Sequence, residues 1–199
     1  MKYKIILWDA DGVTLKNSRL FSEQLEIDYG IKTEVVLPFF KGAFRECSIG
    51  KADLKIELAK VINDWGWQGT VEELMGYWFT KGTLIDEEMV KYIESVRDSG
   101  SRCFMATDQE KYRGEYLKNL LGNNKPFERI FYSAEIGTLK NDPLYFDYIY
   151  RTINENSENI TKDQFLFIDD DEKNIEAAKT FGFETYFFQN FDDLKKFLS

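Results

Sequence analysis

Short apolar runs alternate with amphipathic segments along most of the chain. Five of these runs predict buried strands, because nearly continuous apolar residues are typical of strands covered on both faces. These strands are Tyr3–Trp8, Arg102–Ala106, Arg129–Tyr132, Gln164–Ile168 and Phe183–Phe188. Apolar residues at helical spacing predict helices over Asp86–Ser99, Gln109–Leu121, Pro143–Asn154, Glu172–Phe181 and Phe191–Leu198. Strands that alternate with long helices indicate a parallel sheet with right-handed crossovers.

The stretch between the first strand and residue 83 has a different pattern. It predicts helices over Ser18–Tyr29, Asp53–Val61 and Thr70–Phe79, and no strand pattern stands out. The last of these helices opens with a capping box formed by Thr70 and Glu73. We therefore expect an α/β fold with a Rossmann-like parallel-sheet core over residues 1–14 and 83–199. An all-helical cap domain is expected as an insertion over residues 15–82.

The composition of the chain excludes some kinds of binding partner and some kinds of catalytic group. The chain has 199 residues, a net charge of −9 and no histidine. An acidic surface argues against nucleic acids and anionic membranes as partners, and the lack of histidine excludes histidine bases and metal ligands. No run approaches the ~20 apolar residues of a membrane span. Cys47 and Cys103 share no close spacing, so we expect two reduced thiols, with a disulfide between them as the alternative. We expect a cytoplasmic protein, either a monomer or a homodimer.

Two acidic residues follow the first strand directly. Asp9 and Asp11 lie at its carboxyl end, where ligands bind in open parallel sheets, and Gly12 lets the chain turn over the strand tip. One carboxylate can then act as nucleophile and metal ligand and the other as general acid and base. The alternative is a turn rich in acidic side chains that has no function.

Polar residues also follow the later strands. Thr107 and Asp108 can hold phosphate oxygens together with free N–H groups of the next helix, or can simply cap that helix. Lys140 can neutralise phosphate and carboxylate charge, or can be a solvated surface lysine. Asp169 and Asp170 belong to an acidic triplet that suits magnesium, although one member of such a triplet can cap the helix that follows.

These four elements together resemble the motifs of the haloacid-dehalogenase-like superfamily of phosphohydrolases. The resemblance covers nearly the whole chain. Its motifs are ILWDADGVT (6–14), FMATD (104–108), GTLKNDP (137–143) and FIDDDEKN (167–174). The insertion directly after the first motif matches the helical cap of the first type in that superfamily.

The resemblance implies a catalytic role for five residues. Asp9 would attack phosphorus and become an aspartyl-phosphate, and Asp11 would protonate the leaving alkoxide and then activate water. Thr107 and the backbone N–H of Asp108 would hold the phosphoryl oxygens. Lys140 would steady Asp9 and the transferred group. True dehalogenases of the superfamily lack the second acid of the first motif, so Asp11 favours phosphoryl chemistry.

The resemblance also implies a magnesium site. The ion would be held by the Asp9 carboxylate, the Asp11 backbone carbonyl and Asp170. Asp169 would lie beside the ion or behind its direct ligands. One magnesium ion and one lysine together offset the repulsion between an attacking carboxylate and a phosphate dianion.

Two positions depart from the pattern of the superfamily. Asp108 stands where the second motif often has asparagine, and Lys16 stands where many relatives have an acid. The cap is expected to select the substrate through a loop over residues 40–50, with basic residues in it or just beyond it as candidate contacts; the alternative is that these residues are solvated surface charges. These basic residues are Lys41, Arg45 and Lys51.

The function expected from these features is that of a magnesium-dependent phosphatase acting on a small phosphorylated metabolite. A phosphosugar mutase remains an alternative, because it uses the same pair of acids. A non-catalytic binding or regulatory module on the same fold is a second alternative, which the aromatic-rich cap would suit. A receiver domain does not fit, since it lacks both the late acidic pair and the helical insertion.

Overall fold

The computed structural model describes residues 2–16, 19–122, 125–155 and 159–199. Its centre is a parallel sheet of five strands in the order β3-β2-β1-β4-β5. The strands are β1 (Ile5–Trp8), β2 (Arg102–Thr107), β3 (Ile130–Tyr132), β4 (Phe165–Asp169) and β5 (Glu184–Phe187). The predicted α/β fold with a parallel sheet is therefore confirmed, and each strand lies where its apolar run predicted it.

The apolar runs are continuous because helices cover both faces of the sheet. Side chains alternate between the faces along a strand. In β1, Ile5 and Leu7 pack into one hydrophobic cluster, while Ile6 and Trp8 pack into another on the opposite face. All four side chains are fully buried. The central strand therefore has no solvent-exposed face and reads as purely apolar in the sequence.

The first five described α-helices after β1 form a unit that we call the helical insert. They are α1 (Phe21–Tyr29), α2 (Thr33–Lys41), α3 (Ala43–Ser48), α4 (Leu54–Ala59) and α5 (Val71–Gly82). Their buried side chains form a hydrophobic cluster separate from the two clusters of the sheet. The predicted capping box at the start of α5 is present, because Thr70 and Glu73 exchange side-chain and backbone hydrogen bonds.

Two helices of the insert have no counterpart in the sequence prediction. Residues 40–50, expected to form a substrate-binding loop, are the end of α2 and the whole of α3. Pro38 lies inside α2 and obscures its helical pattern, while α3 has only six residues. The predicted start of α1 at Ser18 lies outside the described residues.

The remaining helices flank the sheet. They are α6 (Glu87–Asp98), α7 (Lys111–Leu121), α8 (Ser133–Ile136), α9 (Pro143–Asn154), α10 (Glu172–Phe181) and α11 (Phe191–Leu198). The cluster on one face of the sheet includes side chains of α6, α7 and α11, and the other includes those of α9 and α10. Within the described ranges, no helix has the length and apolar character needed to cross a membrane.

Polar bonds connect the insert to the helices beside the sheet. Tyr112 at the start of α7 donates its hydroxyl hydrogen bond to Asp53 over 2.7 Å. The Ser133 hydroxyl donates to the backbone carbonyl of Ser48 over 2.6 Å. These bonds fix the insert above the carboxyl ends of the strands, where the acidic motifs lie.

Candidate active site

Three of the predicted site residues lie at the carboxyl ends of adjacent strands. Asp9 follows β1, Thr107 ends β2 and Asp169 ends β4. The registers pair Trp8 with both Met105 and Ile168, so Asp9 and Asp169 are level and Thr107 lies one residue further along β2. Parallel pairing thus brings together residues that are 62 to 160 positions apart in the chain.

Lys140 lies between two of these carboxylates. Its Nζ donates to Asp9 Oδ1 over 2.5 Å and to Asp169 Oδ2 over 2.7 Å. The lysine is only 3% exposed, so the alternative of a solvated surface lysine is wrong. Burial works against its charge, but the neighbouring carboxylates of Asp9, Asp169 and Asp108 outweigh burial and raise the pKa of Lys140. The side chain therefore provides a permanent positive charge at the strand ends.

Asp108 explains one departure from the motif pattern. Its Oδ1 accepts a hydrogen bond from the backbone N–H of Lys140 over 3.0 Å. The carboxylate thus holds the loop that carries the lysine and contributes to the negative charge around it. Burial raises the pKa of Asp108, and the charge of Lys140 opposes this rise. The structure gives this side chain a role in placing Lys140.

The acidic side chains of the first and last motifs form one cluster. One carboxylate oxygen from each of Asp9, Asp169 and Asp170 lies within 4.8 Å of the others. The expected convergence of the two motifs is therefore observed. The cluster presents only oxygen atoms, which are the ligands that magnesium prefers. Burial raises the pKa of Asp9 despite the nearby Lys140, and a second cation at the cluster would oppose that rise.

Hydrogen bonds orient Asp169, and the last acid of the triplet caps the following helix. Asp169 Oδ1 accepts from the backbone N–H of Asp171 over 2.7 Å and from the Asn174 amide over 3.2 Å. Asp171 caps α10 by accepting from the backbone N–H of Lys173 over 2.8 Å. One acid of the triplet is thus a helix cap, as the sequence allowed, while Asp169 and Asp170 contribute to the cluster.

The side chain of Asp11, the second acid of the first motif, is bound to residues outside the acidic cluster. Gly12, at a φ of 83°, turns the chain after Asp11. The Asp11 carboxylate accepts two hydrogen bonds from Arg113, over 2.8 and 3.0 Å, and one from Gln109 over 2.7 Å. Its carboxylate is therefore held by Arg113 and Gln109 and is not one of the three acids of the cluster. The expected role of its backbone carbonyl as a magnesium ligand remains a prediction.

Arg113 is a site residue that the sequence reasoning missed. Besides Asp11, it donates to the Gln109 side chain and to the backbone carbonyl of Gly82, each over 2.9 Å. Its side chain is only 11% exposed. Gly82 ends the helical insert, so one guanidinium connects the second acid to the point where the chain returns to the sheet. The sequence offers no local signal for it, because Arg113 contacts Asp11 across 102 positions and has the pattern of a surface arginine.

Thr107 is in the expected place, but the helix after it begins later than predicted. Thr107 is 1% exposed, and its hydroxyl accepts from Gln109 over 3.2 Å. Helix α7 starts at Lys111, and the Glu110 side chain accepts from the backbone N–H groups of Tyr112 and Arg113. The expectation that this helix offers free N–H groups to phosphate is therefore wrong for these two groups.

The fold can be compared with the folds of known proteins. No family model matches the chain. A structure of a HAD family enzyme from Bacteroides thetaiotaomicron matches with a TM-score of 0.79 and 17% identity, covering 99% of this chain and 98% of that chain. A predicted HAD-like family hydrolase from Porphyromonas gingivalis matches with a TM-score of 0.76 and 20% identity, covering 100% and 98%. The fold is that of the haloacid-dehalogenase-like superfamily, as the sequence motifs predicted.

Two further comparisons concern individual relatives. The chain is 24% identical over 206 aligned positions to D-ribitol-5-phosphate phosphatase from Bacteroides thetaiotaomicron, covering 98% of this chain and 97% of the relative. The HAD family enzyme from the same organism also matches as a complex with magnesium and inorganic phosphate. That match has a TM-score of 0.76 and 17% identity, covering 96% of this chain and 98% of that chain.

Proposed function

We propose that this protein is a magnesium-dependent phosphatase that hydrolyses a small phosphorylated metabolite through an aspartyl-phosphate on Asp9. The observation that carries the proposal is the contact of Asp9 with Lys140 inside a cluster with Asp169 and Asp170. A carboxylate can attack a phosphate dianion only where positive charge offsets their repulsion. The phosphatase relative and the phosphate-bound, magnesium-bound neighbour support the same chemistry.

The chemistry proceeds in two steps on the residues of this chain. In the first step, an Asp9 oxygen forms a bond to phosphorus while the bond to the leaving oxygen breaks, and Asp11 supplies a proton to that oxygen. In the second step, Asp11 takes a proton from water, the water oxygen bonds to phosphorus, and the Asp9–phosphorus bond breaks. Inorganic phosphate leaves, Asp9 is again a free carboxylate, and Asp11 has regained the proton that it gave to the leaving oxygen.

The surrounding residues stabilise charge and hold the groups in place. Lys140 faces the attacking carboxylate throughout, and Thr107 offers its hydroxyl to a phosphoryl oxygen. Asp9, Asp170 and the backbone carbonyl of Asp11 would bind magnesium, with Asp169 beside them. When bound, magnesium supplies positive charge that lowers the repulsion between carboxylate and phosphate. In this proposal residues 1–14 and 83–199 are the catalytic core, and the helical insert forms the cap of residues 15–82.

The experiment that tests this function measures phosphate release from para-nitrophenyl phosphate and from several sugar phosphates. We expect phosphate release with magnesium, none with EDTA, and recovery when magnesium is added back. Formation of a sugar-phosphate isomer without phosphate release would instead identify a mutase. Absence of any turnover, while magnesium still binds, would favour the non-catalytic binding module.

A further inference from the structure

A cavity of about 480 Å³ opens beside Asp11, between the helical insert and the carboxyl ends of the strands. Its walls come from α1, α2 and α5 of the insert and, on the opposite side, from Asp11 and Arg113. The volume is within the range of small-molecule sites. Asp9, Thr107 and Lys140 are not among the described residues that line the cavity. The cavity thus begins beyond the residues that would hold the phosphoryl group.

This position indicates which part of a substrate the cavity receives. The inference rests on the proposed function, in which Asp11 passes a proton to the leaving oxygen. A phosphate ester bound with its phosphorus at Asp9 has its leaving group on the side of Asp11. The cavity contacts Asp11 and lies outside the phosphoryl site, so it is placed to receive the leaving group.

The floor of the cavity is aromatic. Phe21 and Trp78 stack with ring centroids 4.6 Å apart, and Phe40 meets the Trp78 ring edge-on with centroids 5.4 Å apart. Both stacked rings are less than 10% exposed, so packing fixes their orientation. A flat or carbon-rich body gains from covering such a surface, whereas a chain of hydroxyl groups finds few polar partners there.

The rim of the cavity is positively charged, although the chain as a whole has a net charge of −9. Four basic side chains line it against a single acid, Asp11; they are Lys16, Arg19, Lys81 and Arg113. Arg113 pairs with Asp11, and Lys81 lies 3.4 Å from Asp28. Within the part of the chain that the structure describes, Lys16 and Arg19 have no acidic partner. Two basic side chains at this rim are therefore available to a ligand.

We propose that the physiological substrate is a phosphate monoester whose leaving group carries a second anionic group on a flat or apolar body. Phe21, Phe40 and Trp78 cover the body, and Lys16 and Arg19 bind the second anion. Positive charges at the rim of a site attract an anionic ligand and favour it over neutral competitors. The substrate class differs from that of a neutral polyol phosphate, whose leaving group has no second charge.

The test compares two substrates of nearly the same size and shape, of which only the first carries a second charge: para-carboxyphenyl phosphate and para-carbamoylphenyl phosphate. We expect kcat/KM to be about tenfold higher for the carboxylate, the scale of one charge-assisted contact. The double substitution Lys16→Gln with Arg19→Gln removes this preference by lowering kcat/KM for the carboxylate alone. The control variant Lys118→Gln with Lys179→Gln changes the net charge equally at surface lysines outside the cavity and keeps the preference.

Equal kcat/KM values for the two substrates would overturn the proposal, and so would a preference that survives the double substitution. Hydrolysis of para-nitrophenyl phosphate separates this failure from failure of the proposed function. If all three esters release phosphate without a charge preference, only the substrate class is wrong. If none of them releases phosphate in the presence of magnesium, the phosphatase proposal fails as well.

Discussion

The strand ends and the helical insert bury different kinds of side chain. Over the described ranges of the chain, every buried side chain with a formal charge lies outside the insert, namely Asp9, Glu110, Lys140 and Asp169. The interior of the insert is apolar and rich in aromatic rings, with Trp65, Trp67 and Trp78 all buried. One polypeptide thus keeps its buried charges at the sheet and its aromatic packing in the insert.

The reason for this difference is physical. A charge removed from water needs a partner at a fixed position, and adjacent parallel strands provide such positions. Aromatic packing depends less on direction, so the helices of the insert can use it without a partner at a fixed position for each side chain. Substitutions at the strand ends are therefore expected to stop the chemistry, whereas substitutions in the insert change its local stability or the choice of substrate.

The largest effect is expected at the attacking carboxylate. Asp9→Asn removes the nucleophile, so turnover of para-nitrophenyl phosphate with magnesium falls by about a thousandfold or more. Asp98→Asn, at an exposed acid that pairs with Arg97, is the matched control and keeps its activity. Circular dichroism and thermal unfolding check that both variants fold. Turnover within tenfold of the wild type in Asp9→Asn would contradict the nucleophilic role.

Removal of the buried lysine is expected to affect stability as well as turnover. Lys140→Met leaves the carboxylates of Asp9 and Asp169 facing each other without their shared cation, which costs about 3–5 kcal/mol of unfolding free energy. Lys118→Met, at an exposed lysine 3.4 Å from Glu115, costs about 1 kcal/mol or less. Urea unfolding measures both values.

Magnesium is expected to change the stability difference between the Lys140→Met and Lys118→Met variants. If the cluster binds the ion, magnesium stabilises Lys140→Met because it replaces part of the missing positive charge between the acids. Urea unfolding with magnesium and with EDTA measures this recovery, and Lys118→Met shows no comparable difference from wild type. A Lys140→Met variant as stable as Lys118→Met in EDTA would show that the buried acids do not need the lysine.

The sheet could be predicted because its strands are buried on both faces. The run around Ile6 contains no polar residue, and the same holds for the run around Leu166, so both patterns are visible in the sequence. The acids that end these strands could be predicted for the same reason, since a carboxylate that follows a buried strand contrasts with its neighbours. Parallel pairing then brings Asp9 and Asp169 together.

Other parts of the site depend on contacts that local sequence does not encode. Arg113 reaches Asp11 across 102 positions, and no local pattern distinguishes it from a surface arginine. The same is true of Lys140, which only the resemblance to a motif singled out. Asp108 was expected to hold phosphoryl oxygens through its backbone N–H, whereas its side chain holds the loop that carries the lysine.

A smaller effect is expected from the arginine that holds the second acid. Arg113→Lys cannot donate two parallel bonds to Asp11 and reach the Gly82 carbonyl, so the proton donor loses its fixed position. We expect kcat to fall about tenfold for an alkyl phosphate, whose leaving oxygen needs a proton, with little change in KM. For para-nitrophenyl phosphate, which leaves without a proton, the decrease is at most about twofold.

The difference between the two substrates distinguishes positioning from a general structural defect. Arg151→Lys, at an exposed arginine that pairs with Asp147 over 2.9 Å, is the matched control and affects neither substrate. An equal loss for both substrates in Arg113→Lys would show that the arginine supports the fold of the site rather than the proton transfer.

The smallest effect on turnover is expected from a substitution that creates a cavity inside the insert. The reactivity of the two cysteines can report the resulting loss of local stability. Cys47 is buried in the cluster of the insert, and Cys103 is buried in a cluster of the sheet. Burial raises the pKa of the Cys47 thiol to about 11 and that of Cys103 to about 12. Both thiols are therefore protonated at pH 8, and alkylation reports the local opening that exposes them.

Leu58→Ala opens a cavity in the fully buried interior of the insert, which costs about 2–5 kcal/mol of local stability. We expect iodoacetamide to modify Cys47 faster in this variant, with the rate at Cys103 unchanged, as mass spectrometry of digested protein would show. Ile56→Ala, at an exposed position of the same helix α4, leaves both rates unchanged. Equal acceleration at both cysteines would mean that the insert and the sheet open as one unit. The two regions would then differ in the side chains that they bury but not in their local stability.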